Sequence, residues 1–173
     1  HSDAYFHGIN VQEIVSFITD GAGDGCPVKT PNGNSAPLIN GGADYTIPKA
    51  TPFVLTALGS DADGDILSYC WEQMDADPGP QPPQTTNTLG PLFRTFNPGL
   101  SPQRYFPDIQ DVVNNTSSTW EALPGVARAM NFRVTARDNH VGGGTTAQDD
   151  ILLTVAGNAG PFRVTSPDNS VVW

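Results

Sequence analysis

The chain is short of most groups that enzymes and nucleic-acid binders depend on. It has two cysteines, three histidines and three glutamates in 173 residues. No His-Glu-x-x-His helix and no cysteine pair at zinc-ligand spacing occurs, so the common zinc motifs are excluded. Neither a Gly-x-Ser-x-Gly elbow nor a phosphate loop is present. Glycosidase chemistry needs two carboxyls across a cleft. Here glutamate is nearly absent and the aspartates cluster on turns, so these residues are read as non-catalytic. Eight basic residues against eighteen acidic ones leave a formal charge of −10. With no basic stripe, nucleic acid and anionic membrane are excluded as partners. No run of eighteen apolar residues occurs, hence no transmembrane helix, and no signal-peptide pattern is seen.

What remains points to a loop-rich β protein. Hydrophobic residues make up 38%, below the usual share, while glycine and proline number 18 and 16. The length suits one domain plus an appendage. The chain opens at His1 without methionine and stops inside the apolar run Val171-Val172-Trp173, so we expect a piece of a longer protein. Cys26 falls in a glycine-rich stretch and Cys70 in a core strand beside Trp71. We expect no bridge between them; Cys26 could pair with a cysteine upstream. Buried cysteine often serves as a small hydrophobe.

Periodicity divides the chain into four parts. In residues 1–20, Val11, Ile14, Val15 and Ile18 fall at helical spacing beside Phe17, predicting a helix over 11–19. One amphipathic helix cannot bury its own apolar face, so it should belong against something else. Residues 21–43, rich in glycine, proline and asparagine, read as a linker. From residue 44 to 158 the period becomes two. Strands are predicted at 45–48 (an edge, ended by Pro48), 52–58 (Phe53, Leu55 and Ala57 inward), 66–74, 130–137 (Phe132 and Val134 inward) and 150–155. Residues 159–173 read as a connector, with 162–165 opening a further module. The stretch 75–128 is long and proline-rich, yet carries Phe93, Phe96, Tyr105, Phe106 and Trp120. It predicts an ordered insertion with short strands and a short helix near 107–113. Together these predict an all-β, antiparallel immunoglobulin-like or PKD-like β-sandwich with a long insertion and a short N-terminal helix.

Fifteen of the eighteen acids are aspartate, a turn and calcium-loop residue. Asp61-Ala62-Asp63-Gly64-Asp65 places three carboxylates around a glycine. It is not an EF-hand, because glycine is misplaced and the residues after Asp65 read as a strand. Glu72 would then lie roughly 20 Å beyond Asp65 and cannot close the loop. If 52–58 and 66–74 are the second and third strands of a sandwich, the aspartate turn shares one end with the loop after residue 137. That gathers Asp61, Asp63, Asp65, Asp138 and Asp149 as calcium ligands. A tight turn with Asp61 and Asp63 capping backbone amides accounts for the same residues without an ion. His140 reads as solvent-exposed, and His1 and His7 as structural or surface groups. Arg94, Arg104, Arg128, Arg133 and Arg137 read as forks onto loop carboxylates and carbonyls. Asn114-Asn115-Thr116 and Asn115-Thr116-Ser117 are glycosylation sequons, relevant only in a glycosylating host.

Several segments resemble one family. His1-Ser2-Asp3-Ala4-Tyr5-Phe6-His7 before an apolar helix resembles the end of the catalytic domain in secreted bacterial reprolysin-like zinc metallopeptidases. Tyr45-Thr46-Ile47-Pro48, the aspartate turn, Tyr69-Cys70-Trp71-Glu72-Gln73, Arg104-Tyr105-Phe106-Pro107, Trp120-Glu121-Ala122-Leu123-Pro124 and residues 132–139 resemble its first accessory module. Gly160-Pro161-Phe162-Arg163 resembles the connector to the next module. The resemblance implies a secreted, extracellular, bacterial location, with adjacent domains of the same chain as partners. Its zinc would belong to a catalytic domain upstream of His1, so no catalytic residue is carried over. The implied role is a non-catalytic, calcium-braced accessory module, a spacer or a binder of protein or polysaccharide substrate. The competing reading is a carbohydrate-binding or adhesin-type module in which Trp120 or Tyr105 stacks on sugar rings.

Overall fold

The computed structural model describes residues 5–25, 28–163, 165 and 166. The expectations for His1, Cys26, Val164 and residues 167–173 lie outside them. Helix α1 spans Gly8–Thr19 and starts three residues before the predicted helix. The cause is tertiary: the Glu72 carboxylate accepts the Gly8 N–H at 2.6 Å and completes a first turn that the apolar spacing does not reveal. Only Gly8 of this helix is buried. Ile14, Phe17 and Ile18 are all exposed, so among the described residues the apolar face is only partly covered.

Eight strands follow: β1 (Leu38–Asn40), β2 (Tyr45–Pro48), β3 (Phe53–Thr56), β4 (Leu58–Ser60), β5 (Ser68–Gln73), β6 (Gln103–Phe106), β7 (Arg128–Arg137) and β8 (Thr146–Ala156). A second helix, α2 (Ile109–Asn114), lies close to its predicted place, with the Asp108 side chain accepting from Gln110 N. Four strands form one sheet in the order β2-β8-β7-β5. The β7–β8 hairpin runs from Arg137↔Thr146 to Arg128↔Val155. β2 joins the edge of β8 in parallel, and the other pairs are antiparallel. β1 pairs with β4, and β3 with β6. The fold is thus β-rich, in several antiparallel and mixed sheets with two short helices.

The parallel β2–β8 pair departs from the expected all-antiparallel arrangement, and two segment assignments change as well. The linker 21–43 contains β1, a strand too short and too exposed to show a period of two. The predicted strand 52–58 is divided at Ala57: its N–H still donates to Pro102 O at 3.1 Å, in register with β6, but proline has no N–H to carry the ladder further.

The core lies where β3, β5, β7 and β8 present apolar faces to one another. Phe53, Phe93, Phe106 and Phe132 meet there with ring centroids 4.9–6.2 Å apart. Such pairs add to the burial of their area. The other face of β5 and β7 is also covered, since Cys70, Glu72 and Thr135 are buried. Tyr5 and Gly8 lie over it, with Tyr5 Oη donating to Phe96 O and Gln148 Nε2 to Gly8 O. Cys70 is a free buried thiol that burial pushes up to about 12.

Besides β6 and α2, the insertion is ordered by polar anchors. The Arg104 guanidinium donates to Trp71 O, Arg94 O and Glu121 Oε1. It lies 4.4 Å from the ring centroids of both Phe96 and Phe106. Glu121 Oε2 accepts from Asp108 N at 2.8 Å. Arg128 donates to Asn87 O and Gly90 O, and Gln73 Oε1 accepts from Leu92 N and Phe93 N. Arg133 forks onto Asp150 at 2.6 and 2.7 Å. Each of these arginines thereby ties irregular backbone or a neighbouring strand to the sheets.

Candidate metal centre

The β4–β5 connection carries the aspartate turn. Gly64 sits at φ 81°, a conformation that favours glycine. Asp61 Oδ1 accepts from Asp63 N at 2.8 Å and Asp65 N at 3.2 Å, which folds the turn on itself. Asp63 Oδ2 accepts from Ser35 N at 2.6 Å. Asp65 Oδ2 lies 2.7 Å from His140 Nδ1, and this bond raises the histidine's proton affinity. One oxygen of each carboxylate is therefore committed, and among the described residues the second has no hydrogen bond. Asp61 Oδ2 is buried as well, the environment in which an unmatched carboxylate oxygen is most costly. Asp61, Asp63 and Asp65 can each offer a ligand atom within 4.8 Å of the others. Hard oxygen donors on a short turn suit calcium, which accepts irregular geometry.

Asp138 follows β7 at the same end of the molecule but has a different task. Its Oδ1 accepts from His140 N and Thr145 N, and its Oδ2 from Asn34 Nδ2 and Thr145 Oγ1. Burial alone would raise its proton affinity. The bonds from Thr145, Asn34 and His140 outweigh burial and hold the carboxyl at about 2. Asp138 thus closes the β7–β8 loop and stands outside the three-aspartate group. Asp149 does not end that loop. β8 begins at Thr146, and Asp149 pairs with Val134 within the strand. Its Oδ2 accepts from Gly41 N at 2.7 Å and its Oδ1 from Asp150 N at 3.0 Å. The structure brings Asp61, Asp63 and Asp65 together, commits Asp138 to backbone and side-chain donors of the loops, and commits Asp149 to backbone amides.

Three neighbours escaped the sequence reading. His140 is half-buried against Asp65 rather than free in solvent. Asn34 and Ser35, both in the linker, reach the loops. Asn34 Nδ2 donates to Asp138 and to Gly143 O, while its buried Oδ1 meets no partner among the described residues. Only the polar composition of 31–35 hinted at this, since side-chain amides acting on a distant loop leave no periodic trace. Glu72 is far from the turn in role. It accepts Gly8 N and meets His7 Nδ1 at 2.6 Å.

No protein-family model matches this chain, and no curated protein does. Among the described residues, no helix is long and apolar enough to cross a membrane. The functional reading therefore stands on the residues themselves.

Proposed function

We propose that this chain is a non-catalytic, calcium-braced β-sandwich module that serves as a spacer between extracellular domains. The buried, unpartnered Asp61 Oδ2 among three converging carboxylates carries the proposal. A divalent cation would match that oxygen and relieve repulsion within the turn. Ser35 N on Asp63 and Asn34 on Asp138 join the linker to the same end, so ion binding would stiffen the route into the sandwich. The sandwich reading is supported by the strand pairing. β1 pairs with β4 and β3 with β6, separately from the β2-β8-β7-β5 sheet, and Ile39, Phe53, Leu55 and Phe106 pack in one core with Phe132, Val134 and Ile151. A parent of the secreted bacterial reprolysin-like zinc metallopeptidase type rests on the sequence resemblance, and any zinc would belong to its catalytic domain.

The carbohydrate- or adhesin-type reading finds less support. Four phenylalanines and Trp71 are packed inside. The half-exposed Tyr105 and Trp120 line separate hollows, one with Val54 and Pro107, the other with Pro83 and Arg94, and form no continuous strip. Thermal melting with calcium, with magnesium and with chelator tests the proposal. A calcium-dependent rise that Asp61→Asn removes is expected. Identical melting in all three conditions overturns it.

A further inference from the structure

The chain contains two Asn-Gly dipeptides, Asn32-Gly33 and Asn40-Gly41. In such a pair the glycine nitrogen can attack the asparagine side-chain amide, because no Cβ hinders its approach. The structure holds the two nitrogens differently. Gly41 is buried, and its N–H donates to the Asp149 carboxylate at 2.7 Å. A Cβ there would lie 3.3 Å from both Ile151 and Trp71, so the backbone has no room to swing. Gly33 is exposed, sits at φ 79° and has open space around it. Among the described residues its N–H meets no acceptor.

We propose that Asn32 is a site of spontaneous deamidation, while Asn40 is protected by Asp149. The Gly33 nitrogen loses its proton to solvent and bonds to Asn32 Cγ. The carbon–nitrogen bond of the side-chain amide breaks, and ammonia leaves. Water then opens the resulting succinimide at either carbonyl, giving aspartate or isoaspartate. No electrons are exchanged, and water is the only co-reactant.

The consequence follows from what Asn32 holds. Its Nδ2 donates to Gly143 O at 2.9 Å, and its Oδ1 accepts from Asn34 N at 3.1 Å. Both bonds are exposed at the surface and open readily, which lets the reaction begin. The product carboxylate has no donor for Gly143 O and adds charge near Asp138. Isoaspartate also inserts one carbon into the main chain ahead of Asn34. Deamidation is therefore a one-way release of the linker from the β7–β8 loop. It does not depend on the cation.

The test is ageing of the folded chain in mildly alkaline buffer, followed by peptide mass spectrometry and isoaspartate detection. Asn32 should convert faster than Asn40 by about tenfold or more, the factor one charge-assisted hydrogen bond can oppose. In denaturant the two should convert at similar rates. Equal rates in the folded chain, or faster loss at Asn40, overturn the assignment. Amide exchange over residues 28–37 and 138–145 reads the release. It should quicken in aged protein and in fresh Asn32→Asp, whereas Asn32→Gln should not change on ageing. Unaltered exchange in Asn32→Asp overturns the release.

Discussion

The insertion and the aspartate end face the same physical problem and solve it in opposite ways. Both are irregular chain that must be fixed by polar groups. In the insertion the cations are internal: the guanidiniums of Arg104 and Arg128, each aimed at carbonyls and a carboxylate. At the aspartate end the carboxylates converge with no lysine or arginine among their described hydrogen-bond partners, and one buried oxygen is left over. The first region carries its own cations, with only the Arg104 Nε left without a bond among its described partners. The second, if it binds calcium as proposed, takes its cation from solvent. The difference separates a part of the molecule that should hold under all ionic conditions from a part that should respond to them.

Four measurements can break or sharpen that contrast. Arg104→Ala strands Glu121 as a buried carboxylate and should cost about 3–5 kcal/mol. At roughly 2–4 °C per kcal/mol the melting temperature falls well beyond error. Calcium should not restore it, and rescue by calcium would erase the distinction between the regions. Calcium at a hundredfold excess over its dissociation constant should stabilise the wild type by about 2.7 kcal/mol. Arg104→Ala should keep that increment, and Asp61→Asn should lose it.

The third measurement is acid titration of Asp138. Its carboxyl is held below the ordinary 3.8, at about 2. A lowered value stabilises the fold above pH 3.8 and loses that contribution as pH falls to about 2. The stability gap between wild type and Asp138→Asn, on the order of 1–2 kcal/mol at neutral pH, should close across that window. A gap constant down to pH 2 would show that Asp138 acts through shape alone. The smallest effect concerns Gly8, where a Cβ would lie 2.9 Å from Glu72 Oε2 and 3.0 Å from Thr135 Oγ1. Gly8→Ala should cost about 1 kcal/mol by crowding. Faster amide exchange confined to α1 is the expected sign, and unchanged exchange there would show that α1 is held elsewhere.

The parts legible in the sequence were those written in periodicity and in short turns. Alternation turns Phe132 and Val134 inward, and both are fully buried. The edge role of residues 45–48, the helix near 107–113 and the grouping of Asp61, Asp63 and Asp65 were visible for the same reason. What escaped depends on side chains reaching across long separations. Arg104 finds Trp71 O, Gln73 finds the 92–93 backbone, and Asn34 finds Asp138. None of these leaves a pattern along the chain. Apolar alternation puts Asp149 in the loop, but β8 starts at Thr146, ahead of the alternation that begins only at Ile151, and so takes Asp149 into the strand. Strand spacing separates Glu72 from the turn, but its bonds to Gly8 N and His7 depend on what packs over β5, which spacing does not encode.

The parallel pairing of β2 with β8 has a mechanical meaning. The chain enters the main sheet through β2 and leaves it through β8, and four residue pairs join them, from Tyr45↔Leu153 to Pro48↔Ala156. Because the strands run the same way, tension applied at the two ends pulls them past each other along their length. The evenly spaced hydrogen bonds of a parallel pair then bear load together instead of opening one at a time. A domain strung between neighbours would yield last, not first, at the place where the chain comes in and goes out.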